Sequence, residues 1–302
     1  MKFIVTGGAG FIGSHLSRFL LNHNHEVIII DNLLRGNQKN LEDISTKIDF
    51  QKINILDFEE MKKISKNIDG IFHQAALGSV PQSFKEPEEY YKVNAIGTEN
   101  ILKLGKELNC KVIFASSSSV YGNQTKFPIY EDAGKNPLNP YGKSKLEAEK
   151  FAQQYTQNGV RAIGLRYFNV FGIGQNPDYA GVIPKFIKRL LEHKSPIIEG
   201  DGTQIRNFTY VDDVVRANWL AFKSNSDNAF INIASGTTTS VNELSKITIK
   251  LSGLELEPEY IGSRTGDIKK SQADTTLAKE LIGWVPEITL EEGLRKIFPK
   301  IN

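Results

Sequence analysis

The chain has 302 residues, of which 40% are hydrophobic and 24% charged, with a net charge of +2. Such a length allows one large domain or two modest ones, and the composition is that of an ordinary globular protein. Lysines and acids are interspersed with no basic block, which gives a nucleic-acid or anionic-membrane partner no support, and the longest apolar runs are strand-sized, too short to span a bilayer. The single cysteine, Cys110, rules out an intrachain disulfide and reads as a buried thiol at a strand start. No histidine shows metal-ligand spacing, so no metal is expected, and His73 reads as a strand-end packing residue. The opening MKFIVTGGAG lacks an apolar signal region with a small-residue cleavage site. Together with the missing disulfides this gives the cytosol as the expected location.

The predicted elements alternate through the first half. KFIVTG is a short apolar strand and GFIGSHLSRFLLNHN a helix. EVIIID has the continuous apolar character of a strand buried on both faces. IDFQKINI follows as a strand, DFEEMKKISKN as a helix and IDGIFHQAA as a strand. One long helix is predicted from Glu86 to Leu108, then the strand KVIFASSSS, a helix from Tyr141 to Gln157 and the strand VRAIGLRYFN. This alternation predicts an α/β fold with a doubly wound parallel sheet. After Asn169 the pattern changes. Long loops separate short helices at VIPKFIKRLLEH, VDDVVRANWLAF, VNELSKITIKLSG and LEEGLRKIF, which predicts a second, smaller mixed α/β domain.

VTGGAGFIGSH sets Gly7, Gly10 and Gly13 between the first strand and the first helix. This is a G-x-x-G-x-x-G form of the dinucleotide turn. Gly7 permits the tight turn, Gly10 lets backbone approach a pyrophosphate, and Gly13 lets helix pack on strand. The anion then faces free N–H groups at a helix N-terminus. The second strand ends in Asp31, where a carboxylate accepts from ribose hydroxyls and repels a 2′-phosphate, so NAD is expected rather than NADP. Arg35 lies close by and reads as a solvated loop charge. The expected Rossmann domain covers 1–168, with 207–236 returning to it, and the second domain covers 169–206 and 237–302.

Tyr141 and Lys145 share one helix face at i, i+4. A nearby ammonium, joined by a nicotinium ring, is expected to lower the phenol's pKa from its usual ~10 so that it can take or return a hydroxyl proton. ASSSSVYG, at the carboxyl end of a strand, offers Ser116 to Ser119 as a hydrogen-bonding partner.

An upstream serine with Y-x-x-x-K resembles the short-chain dehydrogenase/reductase superfamily, and the glycine turn resembles its extended branch. FHQAALGSVPQSF, FASSSSVYG, PYGKSK, LRYFNVFG and RNFTYVDD together resemble the UDP-hexose 4-epimerases across nearly the whole chain. The resemblance implies Ser117, Tyr141 and Lys145 as catalytic residues, Ser118 as helper, and Lys145 also on the nicotinamide ribose. It implies cofactor contacts at Phe11, Ile12, Asp31, Asn32, Ile55, Gln74, Ala75 and Asn94, besides the glycines. Asn54 stands where the family commonly has an acid near adenine, which implies altered contacts through its amide. Substrate contacts are implied at Ser79, Ser117, Ser118, Val182 and Asp267, with Asn169, Arg206 and Arg264 on the UDP moiety. Paired arginines suit a diphosphate.

The implied reaction is oxidation at C4, rotation of the tethered 4-keto sugar and reduction on the opposite face. A related 4,6-dehydratase or decarboxylase places an acid in the serine segment; here Ser116 to Val120 contains none. A non-catalytic NAD-binding sensor is the remaining alternative, which retention of all three catalytic residues disfavours. A residue soon after R-x-G-D borders the sugar C2 substituent in the family, and the count falls on Ser271, or on Lys270 or Gln272 if shifted by one. LGSVPQS also resembles the branch active on UDP-N-acetylhexosamines. The expected substrates are therefore UDP-GlcNAc and UDP-GalNAc, with UDP-Glc and UDP-Gal as further candidates. The resemblance also implies a homodimer built on the helices around Asn94 to Leu108 and Tyr141 to Gln157.

Overall fold

The computed structural model describes residues 1–176, 181–263 and 268–298. The first half runs β1 (Lys2–Thr6), α1 (Phe11–Asn22), β2 (Glu26–Ile30), β3 (Asp49–Gln51), α2 (Phe58–Ile64), β4 (Gly70–His73), α3 (Val80–Ser83), α4 (Pro87–Tyr91), α5 (Gly97–Glu107), β5 (Lys111–Ser117), α6 (Pro140–Gln157) and β6 (Ala162–Tyr167). Then follow β7 (Val170–Phe171), α7 (Val182–Leu191), β8 (Ile197–Glu199), β9 (Ile205–Arg206), β10 (Thr209–Tyr210), α8 (Val211–Lys223), β11 (Asn228–Ile233), β12 (Thr239–Ser240), α9 (Val241–Ser252), β13 (Glu259–Ile261), α10 (Thr276–Ile282) and α11 (Leu290–Ile297).

Seven strands form one parallel sheet in the order β11-β6-β5-β4-β1-β2-β3. Its strands bury apolar side chains on both faces. Phe3, Val5, Val27, Ile29 and Ile113 pack with Leu16 and Leu20 of α1 and Val214 and Ala217 of α8. Ile4, Ile28, Ile30, Val112 and Phe114 point the other way, onto Ile101 and Leu102 of α5 and Ala152 of α6. This period of two, apolar on each side, is why EVIIID and KVIFASSSS carry no polar alternation. A separate cluster joins Phe171, Ile183, Phe186, Ile187, Ile198, Phe208, Leu244 and Leu294 from the later elements. Among the described residues no helix is long and apolar enough to cross a membrane.

Several expectations change. The strand expected over 48–55 pairs only as Asp49–Gln51, and a 3₁₀ stretch, Gln38–Lys47, precedes it. The single helix expected from Glu86 to Leu108 is broken by a π-type turn, Lys92–Ile96, between α4 and α5. β11, within the 207–236 stretch expected to return to the first domain, pairs with β6, whereas α10 has no counterpart among the expected helices.

Candidate active site

The sheet order reverses between β1 and β4, and ligands bind at the carboxyl ends of strands at such a switch point. A cleft of about 1450 Å³ opens there. Its lining runs from Asp31 and Asn54 through Ser117 and Tyr141 to Arg206 and Ser271. Sites for one drug-sized ligand are typically ~300–1,000 Å³, so this cleft has room for two ligands end to end.

One half fits a dinucleotide. Gly7 has φ +66°, and a Cβ there would lie 2.6 Å from Ala75 N, so only glycine turns here. A Cβ on Gly13 would overlap the Gly7 carbonyl, whereas one on Gly10 would meet only that oxygen, at 3.1 Å. The first backbone bond of α1 is Ser14 N to Gly10 O at 3.1 Å, which leaves the Phe11, Ile12 and Gly13 N–H groups without intrahelical acceptors. The helix has neither a side-chain cap nor an acid in its first turn, so nothing competes with an anionic ligand. The buried Asp31 accepts from Ala9 N (3.0 Å) and Leu33 N (2.8 Å), and burial raises its pKa. Each oxygen keeps a lone pair for a hydroxyl donor. Asn32, Ile55 and Ala75 also line the cleft, and so does Arg35, exposed as expected of a solvated loop charge. The Asn54 amide oxygen already accepts from Leu56 N at 3.0 Å. Gln74 is held by Asn218 (2.9 Å) and Tyr167 (3.2 Å).

The catalytic candidates meet in the middle. Asn139 caps α6 through Gly142 N (2.8 Å), and Pro140 opens the helix. A Cβ on Gly142 would lie 2.6 Å from Ser119 O, so a glycine there lets α6 approach the serine segment. Ser117 Oγ accepts from Ser119 N (3.2 Å), and its hydroxyl lies near enough to that of Tyr141 to act on its pKa. Lys145, 2% exposed, donates from Nζ to the Ala115 carbonyl (2.8 Å). Burial pulls its pKa down to about 8, against the favourable charge of Glu149.

The expected depression of the Tyr141 pKa is not found. Burial raises it, the Ser117 hydroxyl opposes that, and Tyr90 adds to the rise. Lys145 is not among the groups that shift it, because its ammonium is turned to Ala115. Tyr90, which the sequence did not single out, lies edge-on to Tyr141 with ring centres 6.4 Å apart, and donates to Ser79 O at 2.7 Å.

Two further residues differ from expectation. Asn94 sits in the π-type turn, fully buried; its amide accepts from Leu77 N (2.8 Å) and donates to Leu77 O (3.0 Å) and Ser144 Oγ (3.0 Å). It is not among the residues that line the cleft, and both of its amide protons are spent on protein, so in this fold it ties the loop at Leu77 to α6. His73 is more than packing. Thr98 Oγ1 donates to Asn94 O (2.6 Å), so it must accept from His73 Nε2–H (3.0 Å), and His73 Nδ1 then accepts from Thr6 (2.6 Å). Burial, with Lys145 nearby, pushes the His73 pKa down to about 3, so the ring is neutral.

The other half of the cleft holds the substrate candidates. Ser79, Ser118, Asn169, Val182, Arg206 and Ser271 all line it. The Asn169 amide donates to Asn207 O at 2.9 Å, and Arg206 Nη1 donates to Ile205 O at 2.9 Å. Of positions 270 to 272, only Ser271 lines the cleft; Lys270 lies over the Phe127 ring. Arg264 and Asp267 lie outside the described residues.

A family model described as "NAD dependent epimerase/dehydratase family" matches residues 3–234. A putative UDP-glucose 4-epimerase of Methanocaldococcus jannaschii is 42% identical over 299 residues, covering 97% of this chain and 96% of the relative. The crystal structure of a Thermotoga maritima UDP-glucose 4-epimerase with UDP-glucose is similar at a TM-score of 0.94 and 39% identity, over 98% and 97% of the two chains. A UDP-N-acetylglucosamine 4-epimerase of Methanobrevibacter ruminantium, in complex with UDP-N-acetylmuramic acid, gives 0.93 and 38% over 98% and 96%. Proteins named as a UDP-glucuronate 4-epimerase and a UDP-N-acetyl-alpha-D-glucosaminuronate decarboxylase match as well.

Proposed function

The chain belongs to the NAD dependent epimerase/dehydratase family, and on that premise we propose that it inverts C4 of a UDP-hexose, acting on UDP-GlcNAc and UDP-GalNAc and accepting UDP-Glc and UDP-Gal. The observation that carries the reaction is the meeting of Ser117, Tyr141 and Lys145 on one wall of the cleft, with the Ser117 hydroxyl near enough to lower the Tyr141 pKa. Ser271 carries the choice of sugar: its small side chain on the cleft wall leaves room for an acetamido group.

The glycine turn, the first turn of α1 and Asp31 would hold the dinucleotide, which when bound supplies a hydride acceptor and donor beside C4. Ser117 accepts from Ser119 N, which leaves its own proton for the tyrosine oxygen, and that donation favours a phenolate. Tyr141 takes the C4 hydroxyl proton and returns it after the sugar has turned over. Lys145 sets positive charge behind the site and is the residue we assign to the nicotinamide ribose. Arg206, with 169–206 and 237–302 as the substrate-binding part, would anchor UDP; binding energy gathered far from C4 retains the sugar while it rotates. The serine segment Ser116 to Val120 has no carboxylate to expel a C6 hydroxyl or to assist a uronate, which favours epimerisation over the dehydratase and decarboxylase readings. We further propose a homodimer through α5 and α6.

Incubation of the purified protein with UDP-GlcNAc, followed by separation of products, tests this reading. UDP-GalNAc is the expected product. Conversion of UDP-Glc alone would remove the assignment of Ser271. NAD binding without conversion of any UDP-sugar would leave only a sensor.

A further inference from the structure

Behind the catalytic trio lies a buried polar cluster that the reaction above does not use. Glu149 and Arg166, 2% and 1% exposed, pair at two points: Nε to Oε1 and Nη2 to Oε2, both 2.8 Å. Arg166 Nη1 also donates to the Tyr121 hydroxyl (2.8 Å) and the Glu131 carbonyl (2.9 Å), and Tyr121 donates to Asn232 Oδ1 (2.6 Å). The guanidinium lies 5.0 Å from the Tyr121 ring and 5.3 Å from that of Phe230. Ser116 Oγ donates to Glu149 Oε1 at 2.6 Å.

Three consecutive residues of β5 are therefore each tied to a different residue of α6. The Ala115 carbonyl takes Lys145 Nζ, the Ser116 hydroxyl reaches Glu149, and the Ser117 hydroxyl meets Tyr141. A strand advances ~3.3 Å per residue, so even a partial slip of β5 along α6 would part Ser117 from Tyr141. Fold stability alone does not call for this arrangement, since a buried ion pair is often no better than well-packed apolar side chains.

We propose that Glu149, acting with Ser116, is a positioning residue for the reaction: it holds the serine strand in register with α6 and supplies the negative charge that keeps Lys145 an ammonium. This rests on the catalytic reading of Ser117, Tyr141 and Lys145. The groups that face Lys145 are Tyr141 and Glu149 on its own helix and His73 at the end of β4, with Arg166 of β6 behind Glu149. His73 is neutral and Arg166 is spent on Glu149, which leaves Glu149 as the charge that favours the ammonium. The groups facing Glu149 from other elements are Arg166, Tyr121 and Lys135, with Glu131 on the far side of Arg166.

Two variants of the full chain test the proposal. In Glu149→Gln the amide can still accept from Ser116 but carries no charge. Titration of Lys145, followed by carbon NMR of labelled lysine, should move down by about one pH unit relative to wild type. In Ser116→Ala the charges stay, so the lysine titration should hold its wild-type value, while kcat for the UDP-sugar falls about tenfold with KM unchanged, a loss of one positioning hydrogen bond. A Lys145 titration unmoved by Glu149→Gln, or wild-type turnover in Ser116→Ala, overturns the proposal. If Glu149→Gln does not fold, Ser116→Ala decides. If the wild type converts no UDP-sugar, the catalytic reading has failed, and the lysine titration alone decides the role of Glu149.

Discussion

Lys145 should be a net burden on the folded protein at neutral pH, and replacing it with Met should make that burden measurable. Its pKa falls from 10.5 to about 8 on folding because burial disfavours the ammonium. Between those values the unfolded chain binds more protons than the native one, so stability rises with pH, and the destabilisation is fully present only below the folded value. Linkage gives a cost of about 3 kcal/mol at pH 7 and about 1 kcal/mol at pH 9.5. Lys145→Met removes the titration and leaves a side chain of similar length. Relative to wild type, the variant should therefore gain about 2 kcal/mol between pH 9.5 and pH 7, whatever constant offset comes from losing the bond to the Ala115 carbonyl. Urea denaturation of both ligand-free proteins at the two pH values measures this directly, and the variant should have lost turnover. A difference that stays flat with pH, or one that favours wild type as pH falls, would show that the ammonium is not desolvated in the fold.

Three further outcomes are expected. Tyr141→Phe should cut turnover by orders of magnitude while NAD stays bound, as bound nucleotide and product formation would report; near-normal activity would mean the proton leaves by another route. Gly13→Ala should cost at least about 1–3 kcal/mol and release the cofactor, because its Cβ would overlap the Gly7 carbonyl; thermal melting and NAD content check both. Ser271→Tyr should lower kcat/KM for UDP-GlcNAc at least about tenfold more than for UDP-Glc, a difference of about 1.4 kcal/mol. Equal losses on the two sugars would place the acetamido pocket elsewhere.

Much of the fold was legible because its signals are local. A glycine turn between a strand and a helix, apolar runs such as EVIIID, and a tyrosine one helical turn before a lysine all depend on residues close in sequence. They determined the parallel sheet and put the glycine turn, Tyr141 and Lys145 forward as site candidates, while the choice of Ser117 among Ser116 to Ser119 rested on the family resemblance. Packing between distant segments decided the rest. The π-type turn that aims Asn94 at Leu77 and Ser144 has no marker in its own stretch. The count from R-x-G-D reached Ser271 only to within one residue; the fold puts Ser271 and neither neighbour on the cleft wall, with its N–H donating to the Ile205 carbonyl of β9 at 2.9 Å. The direction of the Tyr141 pKa also needed the fold: desolvation depends on everything that surrounds a group, whereas i, i+4 spacing names only one neighbour. Glu149 looked like any helix acid until β5 and β6 brought Ser116 and Arg166 against it. Spacing along a chain tells which side chains share a face, but what that face is buried against, and so which charges it can keep, is settled only when remote strands close over it.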